Sequence, residues 1–190
     1  IIMKLHLGCG KLKLENYINI DILNKNADIK LNLTDLSIFN NNKVDEIYIC
    51  HVLEHFKRNE IIKTITEWNR VLKKDGILRI AVPDFEKIVK IYIKNEDMSE
   101  LIGFLSGGQR DEYDFHYVNF DIHILKEILE LCGFTNIEKY DAFDFLGELD
   151  DQGSVKEYDQ QSVDEELWRS PIIGAAVKKR TDEKVSAVSL

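Results

Sequence analysis

Short apolar runs alternate along this chain with longer segments whose apolar residues recur at helical spacing. The runs predict six strands and a last apolar segment, over residues 4–7, 17–21, 29–33, 44–50, 77–82, 135–140 and 172–177. The longer segments predict helices over residues 59–72, 97–105 and 121–132, and a further helix that begins at Asp84. Because strands and helices alternate, we expect a mostly parallel sheet covered by helices.

Two of these helices carry specific expectations. The first is expected to close at Gly76, because cations followed by a glycine are typical of a helix C-terminus. The helix from Asp84 is expected to direct four apolar side chains inward: Phe85, Ile88, Val89 and Tyr92. Between the first two strands, the few residues available leave room for no more than a turn or two of helix.

Ligands of a parallel sheet lie outside the carboxyl ends of its strands. Chain direction assigns several polar segments to that one edge: residues 8–11, Asp21, Asp35, residues 50–55, Asp84 and the loop 107–120. The acidic and aromatic segment 141–171 should return to the same edge, as an insertion or a lid. We therefore expect the chemistry of this protein there.

Gly8 and Gly10 follow the first strand and predict a tight turn that a ligand can approach closely. A lone Gly-x-Gly pair is usually an ordinary turn. Asp21, however, ends the second apolar run, where an acid can hold the ribose hydroxyls of a nucleotide; the alternative is a turn cap. Asp35, after the third run, is either a helix cap or an acceptor from an adenine amino group.

His51 and His55 stand at i and i+4, a spacing that suggests a metal site. The metalloprotease pattern places a glutamate directly after the first histidine, whereas Glu54 precedes the second here, so we expect no metal. His116 lies in a polar loop and is either a solvated side chain or a general base. The same loop carries two candidates for contacts to a polar acceptor, which could also be an ordinary loop tip: Gln109 and Arg110.

Composition narrows the class of protein. With 190 residues, 44% of them hydrophobic and 31% charged, the chain suits one soluble globular domain, with residues 181–190 as a flexible tail. A net charge of −9 disfavours nucleic acid as a partner. Three cysteines without a Cys-x-x-Cys pair, no run of membrane-spanning length and no signal peptide before Met3 lead us to expect a cytoplasmic location.

Several of these segments, taken in order, resemble the class I S-adenosylmethionine-dependent methyltransferases. Residues 5–10 resemble the first motif of that family, although His6 stands where the family has an acid. Asp21 matches the ribose-binding acid, and Asp35 with Leu36 resembles the adenine-contacting pair. Three later segments are similar to the sequence after strand four and before strands five and six: residues 51–56, 70–78 and 129–134.

The resemblance covers residues 4–140 and implies a Rossmann-like three-layer α/β sandwich, with a mostly parallel seven-stranded sheet whose last strand is antiparallel. It implies one methyltransferase domain over residues 1–180, S-adenosylmethionine as cofactor, S-adenosylhomocysteine as product, and no metal. The cofactor-binding residues that it implies are Leu7, Gly8, Cys9, Gly10, Lys11, Asp21, Asp35, Leu36 and His51.

The short connection between the first two strands resembles a compact bacterial subgroup associated with saccharide and cell-surface biosynthesis. We therefore expect methyl transfer to a small polar acceptor, a hydroxyl of a sugar or a sugar or phospho-conjugate in capsule or surface polysaccharide synthesis. The expected proton acceptor is His116, with His51 and Asp84 as alternates. The expected substrate contacts are Gln109, Arg110, Tyr117 and His55.

Two other function classes remain open from the sequence. A nucleotide-dependent oxidoreductase would carry a third glycine at position 13, where this chain has Lys13. A binding module would hold the cofactor without turning it over. The oligomeric state is also open, a homodimer included.

Overall fold

The computed structural model describes residues 2–140 and 172–179. Its strands are β1 (Lys4–Leu7), β2 (Ile18–Asp21), β3 (Ile29–Lys30), β4 (Val44–Cys50), β5 (Leu72–Pro83), β6 (Phe134–Tyr140) and β7 (Ile172–Lys179). Its helices are α1 (Arg58–Val71), α2 (Phe85–Asn95), α3 (Ile102–Ser106) and α4 (Ile122–Leu131), with one 3₁₀ turn over Leu53–His55. The predicted insertion 141–171 and the predicted tail 181–190 lie outside the described residues.

The described strands form a sheet in the order β3-β2-β1-β4-β5-β7-β6. Strands β1 to β5 pair in parallel, and β7 pairs antiparallel with both β5 and β6. The mostly parallel α/β sheet expected from the alternation of elements is confirmed. Since β1 and β4 are neighbours, the loops that follow them meet at the carboxyl edge of the sheet.

The connection between β1 and β2 contains no helix. The Asn19 side chain takes over its stabilisation: Oδ1 accepts the Leu14 N–H at 2.8 Å, and Nδ2 donates to the carbonyls of Leu14 and Tyr17. Leu14 and Tyr17 also pack on Tyr48 in a small apolar cluster. One buried amide therefore allows two parallel strands to be joined by a short irregular segment.

The main core lies between the sheet and helices α1 and α4. Its fully buried strand residues include Leu5, Ile20, Ile47 and Ile80. Helix α1 contributes Trp68, whose Nε1–H donates to the Leu33 carbonyl at 2.9 Å, so its one polar atom is satisfied within the core. None of the described helices has the length and apolar character needed to cross a bilayer.

The first helix ends within one residue of its predicted end at residue 72, but the expected glycine closure at Gly76 is wrong. Helix α1 ends at Val71 and β5 begins at once, with Leu72 paired to Val44, so Gly76 lies inside a strand. Asp75, at φ +62°, and a register shift mark an irregularity there. Cations followed by a glycine suit a helix end, but pairing with β4 makes this segment extended.

The expected inward face of α2 is also largely wrong. Only Ile88 is buried, whereas Phe85, Val89 and Tyr92 are 42%, 37% and 44% exposed. Ile88 packs on Leu101 in a small separate cluster. Helical spacing predicts which residues share a face, but the neighbour determines how much of that face is covered. Strand β3 and helix α3 are also shorter than predicted.

Candidate active site

The loop after β1 is a tight turn built on two glycines in the left-handed region, with φ +70° at Gly8 and +50° at Gly10. The Gly8 and Cys9 N–H groups donate to the Ile20 carbonyl at 2.8 and 3.1 Å, which ties the loop to β2. A Cβ on Gly8 would lie 2.3 Å from Val52 Cγ2. The missing side chain at position 8 therefore lets the loops after β1 and β4 touch.

Asp21 connects the end of β2 to the same glycine loop. Its Oδ2 accepts the Gly10 N–H at 2.8 Å, and its Oδ1 accepts the N–H groups of Leu23 and Asn24, each at 2.8 Å. An ionised carboxylate offers about four acceptor positions, so Oδ2 keeps one position for a hydroxyl donor. Both predictions for Asp21 are thus compatible: it caps a turn, and it can still receive a ribose hydroxyl.

The other expected cofactor residues differ in what they expose. Asp35 is exposed, and the hydrogen bonds from Ser37 hold the pKa of its carboxyl below the usual value. Leu7 and Leu36 are fully buried, and the Leu36 N–H donates to Glu67 Oε1 at 2.9 Å. The side chains of these two leucines therefore belong to the core, and their assignment as cofactor contacts stays a prediction.

Cys9 and Lys11 complete the glycine loop. The Cys9 side chain is only 2% exposed, and burial raises the pKa of its thiol. Lys11 is exposed. The loop therefore offers a ligand its backbone and one cation, while its thiol is directed into the protein.

His6, which stands where the resembling family has an acid, is buried and 3% exposed. Its Nδ1 lies 3.1 Å from Asn19 Oδ1, which has no hydrogen to donate, so Nδ1–H is the donor. Burial lowers the pKa of His6 to about 4, so the ring is neutral at pH 7. This position supplies no charge to the glycine loop.

His51 ends β4 in a strained left-handed conformation, with φ +54°, and its N–H donates to the Ala81 carbonyl at 3.0 Å. Its Nδ1 lies 3.0 Å from Glu54 Oε1. Because an ionised carboxylate only accepts, Nδ1 carries a hydrogen, and in the neutral ring Nε2 is the atom with the free lone pair. That Nε2 is buried and has no hydrogen-bond partner among the described residues. The pair has the geometry of a histidine base oriented by a carboxylate.

Glu54 is the buried acid of this segment, at 1% exposure. Burial by itself raises the pKa of its carboxyl, but the His51 hydrogen bond and the nearby histidines outweigh it and leave the pKa lowered. Its second oxygen, Oε2, is buried and finds no hydrogen-bond partner in the part of the chain that the structure describes. Glu54 is thus an ionised group with one oxygen still to be satisfied.

The loop 107–120 returns to this edge, as chain direction predicts. The Tyr117 N–H donates to the Glu54 carbonyl at 2.8 Å, and the Phe85 N–H donates to the Phe120 carbonyl at 2.8 Å. The same loop places the His116 ring against the His55 ring, with centroids 4.7 Å apart and planes at 82°. His55 therefore pairs with His116 and not with His51, because the turns at residues 51–55 are not α-helical.

Both rings of this pair are fixed by backbone carbonyls. His55 Nδ1 lies 3.1 Å from the Phe115 oxygen and His116 Nδ1 lies 2.8 Å from the Phe104 oxygen. A carbonyl cannot donate, so each Nδ1 carries a hydrogen, and in the neutral tautomer Nε2 is the atom with the free lone pair. Burial also lowers the pKa of His55, which favours the neutral ring. One ligand atom each of Glu54, His55 and His116 lie within 4.8 Å of one another.

The remaining expected residues lie at the margins of this site. Asp84 is buried and caps α2, because its Oδ1 accepts the N–H groups of Glu86 and Lys87 at 3.0 and 3.4 Å. This cap role occupies Oδ1, and the assignment of Asp84 as an alternate proton acceptor stays a prediction. Gln109 and Arg110 are exposed, and Arg110 Nε donates to Asp114 Oδ2 at 2.7 Å.

The Tyr117 ring is 47% exposed and stacks on Phe115, with centroids 6.4 Å apart. Sequence reasoning missed Glu54 as a site residue and Asn19 as the support of the glycine connection. The signal for Glu54 was its position between two histidines in an otherwise apolar segment. Asn19 gave no comparable signal, because its role depends on partners that only the fold brings to it.

A family model described as a methyltransferase domain matches residues 7–80 of this chain. The matched segment contains the glycine loop, Asp21, and the turn that carries His51, Glu54 and His55. No curated protein matches the sequence.

Solved structures resemble this chain over nearly its whole length. One is a SAM-dependent methyltransferase from Archaeoglobus fulgidus, with 19% identity, 94% of this chain and 86% of that chain covered, and a TM-score of 0.55. Another is the 1,6-didemethyltoxoflavin-N1-methyltransferase of Burkholderia thailandensis, solved with S-adenosylhomocysteine, with 12% identity, 94% and 71% coverage, and a TM-score of 0.56. At such low identity the likeness shows the fold. The chain therefore matches a methyltransferase-domain model over residues 7–80 and shares its fold with solved S-adenosylmethionine-dependent methyltransferases.

Proposed function

We propose that this protein transfers a methyl group from S-adenosylmethionine to a hydroxyl of a small polar acceptor. One observation carries the proposal: the Gly8 turn after β1 packs on Val52, which directly follows His51 in the turn after the neighbouring strand β4. The Gly8–Val52 contact therefore places the proposed cofactor loop next to the turn that carries the candidate proton acceptors.

The cofactor end would be held by the loop 8–11 and by Asp21. The left-handed glycines keep the backbone open to a close approach, and the open position on Asp21 Oδ2 suits a ribose hydroxyl. Asp35 is exposed at the same edge and is our proposed acceptor from the adenine amino group. When bound, S-adenosylmethionine supplies a methyl group already activated by its sulfonium.

We assign the proton acceptor to His51. Glu54 orients its ring, and the adjacent Val52 packs on Gly8, so His51 is the histidine joined most directly to the cofactor loop. His116, the first expectation from the sequence, is the alternative, because its Nε2 also keeps a lone pair. General-base assistance of this kind is typically worth about 10²–10⁴-fold in rate.

For the acceptor we propose a sugar, or a sugar or phospho-conjugate, in the synthesis of a surface polysaccharide. The support is the helix-free connection between β1 and β2, the feature on which the resemblance to saccharide-related methyltransferases rests. Gln109, Arg110 and Tyr117 are proposed contacts, because they lie exposed on the loop that carries His116. Because a hydroxyl must lose a proton, a histidine base favours transfer to oxygen.

The test separates binding from transfer. Calorimetry with S-adenosylmethionine and with NADH should show saturable binding of the first alone. Labelled methyl groups should then move to a sugar nucleotide, a sugar phosphate or a free saccharide in a panel that also contains amines. Binding without transfer to any acceptor would identify a binding module, and binding of NADH instead would identify an oxidoreductase.

A pair of histidine variants tests the role of His51. His51→Gln should lose transfer by about 10²-fold or more while keeping cofactor affinity. His123→Gln changes an exposed histidine on α4 and serves as the matched control. If His51→Gln retains full transfer and His116→Gln does not, the base is His116.

A further inference from the structure

We propose that Glu54, His55 and His116 form a binding site for a divalent transition-metal ion of the zinc type. The three side chains come from two segments distant in sequence, and each offers one ligand atom within 4.8 Å of the other two. Metal binding itself is independent of the proposed methyl transfer. Only the catalytic role of the metal rests on that function.

The hydrogen bonds behind the two imidazoles are those expected of metal ligands. A ligating histidine usually donates its other ring N–H to a carbonyl or carboxylate, which fixes the tautomer and the ring orientation. Here the Phe115 and Phe104 carbonyls take the Nδ1–H of His55 and His116, at 3.1 and 2.8 Å. Both rings are therefore held in the tautomer whose Nε2 can ligate.

Glu54 is also oriented by a hydrogen bond that leaves one oxygen available to a metal ion. Glu54 Oε1 accepts the Nδ1–H of His51 at 3.0 Å, whereas Oε2 is buried without a hydrogen-bond partner among the described residues. A buried carboxylate oxygen without a hydrogen-bond partner destabilises the fold, because it has lost its hydrogen bonds to water and gained none from the protein. A cation between Oε2 and the two imidazoles would satisfy it and balance its charge.

The donor set points to the kind of metal. Two imidazoles and one carboxylate are a ligand set of catalytic zinc, which keeps its fourth position for water or substrate. Imidazole also favours zinc, copper, nickel and iron over magnesium or calcium. Tetrahedral bonds of about 2.1 Å bring ligand atoms to about 3.4 Å from one another, so small rotations of the half-buried rings must contract the cluster.

The arrangement also suggests what the metal would do. An acceptor hydroxyl in the fourth position would lose its proton more easily, because a bound cation stabilises the alkoxide. His51, bonded to the other oxygen of Glu54, is the proton acceptor assigned under the proposed function. The site would thus both bind the acceptor hydroxyl and promote its deprotonation at the carboxyl edge of the sheet.

Zinc binding can be measured on the full chain after removal of any affinity tag and of bound metal. Competition with a chromophoric chelator should give one Zn²⁺ per chain, and Co²⁺ should give the visible absorption of a tetrahedral nitrogen-containing site. His55→Gln and His116→Gln should each weaken binding by about 100-fold or more, as loss of a ligand exceeds the 10–100-fold typical of supporting residues. His123→Gln, the exposed control, should bind like the unmodified chain.

Two control measurements separate loss of the metal site from loss of the fold. Circular dichroism and S-adenosylmethionine binding show whether each variant is folded, and Glu54→Gln, which preserves volume, is a third independent ligand change. The absence of stoichiometric zinc, or binding unaffected by all three ligand variants, overturns the proposal. Methyl transfer that persists without metal would support the proposed function and remove the catalytic role of the metal. Tight zinc binding without any transfer would support the metal site and contradict the proposed function.

Discussion

Gly8 and Val52 are in contact across the carboxyl edge of the sheet, at a distance that leaves no room for a β-carbon: one placed on Gly8 would lie 2.3 Å from Val52 Cγ2. Gly8 also has φ +70°, a conformation that other residues adopt at a cost. The contact connects the loop after β1 to the turn that carries the histidines, so it bears on both stability and binding.

Gly8→Ala should destabilise the protein by about 2–4 kcal/mol, the sum of backbone strain and overpacking. Chemical denaturation measures the loss, and S-adenosylmethionine affinity should fall with it. Val52→Ala in the same chain should recover the steric part but not the strain. Gly103→Ala is the control, because nothing lies within 4 Å of its added carbon and stability should hold. An unchanged unfolding midpoint for Gly8→Ala would contradict the close contact.

Asp21→Asn should weaken S-adenosylmethionine binding by about 10–100-fold, because hydrogen bonds to a charged group are worth roughly 1.5–3 kcal/mol. The amide oxygen can still accept the N–H groups of Leu23 and Asn24, whereas the Gly10 N–H loses its carboxylate acceptor, so chemical denaturation should accompany the affinity measurement. Calorimetry measures the affinity. Asp97→Asn, in a similar turn with Ser99, should leave it unchanged. Equal affinities in the two variants would remove Asp21 from the site.

His6 should make the protein less stable in mild acid. Its pKa is about 4 when folded, against 6.5 for an unburied histidine, so between these pH values the unfolded chain binds more protons. The stability associated with neutral His6 is complete above pH 6.5 and falls as the pH drops towards 4, by about 3 kcal/mol in all.

Denaturation of the unmodified chain and of His6→Gln across this range tests the effect. The difference in stability between the two should shrink as the pH falls, because only the unmodified chain carries the histidine. His123→Gln, an exposed histidine, should follow the unmodified chain. Parallel pH profiles for the unmodified chain and His6→Gln would show that His6 titrates normally.

Asp84 should behave as a helix cap. Asp84→Ala should cost about 1–2 kcal/mol in stability, whereas Asp84→Asn should cost little, because asparagine caps almost as well. Both variants should keep methyl transfer in proportion to the folded fraction. An Asp84→Asn protein that is fully stable yet inactive would support Asp84 as a catalytic residue.

Much of the sheet follows from local sequence. Strands β1 and β4 occur with the predicted bounds, since short segments rich in apolar residues suit the buried middle of a parallel sheet. The early start of β5 at Leu72 and the exposed face of α2 did not follow. In both cases the deciding contact is with a remote segment: Val44 for residue 72, and Leu101 for Ile88.

Some residues of the candidate site could be predicted from the sequence, and others could not. Gly8, Gly10 and Asp21 could be found from their positions after strands, because chain direction in a parallel sheet dictates which loops share an edge. Leu7 and Leu36, taken with them, are core residues, because sequence proximity to a site does not fix which way a side chain points.

The sequence by itself determined the alternation of strands and helices, the edge on which ligands must lie, and the glycines and aspartate that begin the cofactor side. Only the tertiary structure decided that His55 faces His116, that Glu54 is buried between them and His51, and that His6 is neutral. The reason is physical. The alternation of strands and helices depends on short-range pattern, whereas the protonation and partners of a buried side chain depend on groups that only folding brings to it.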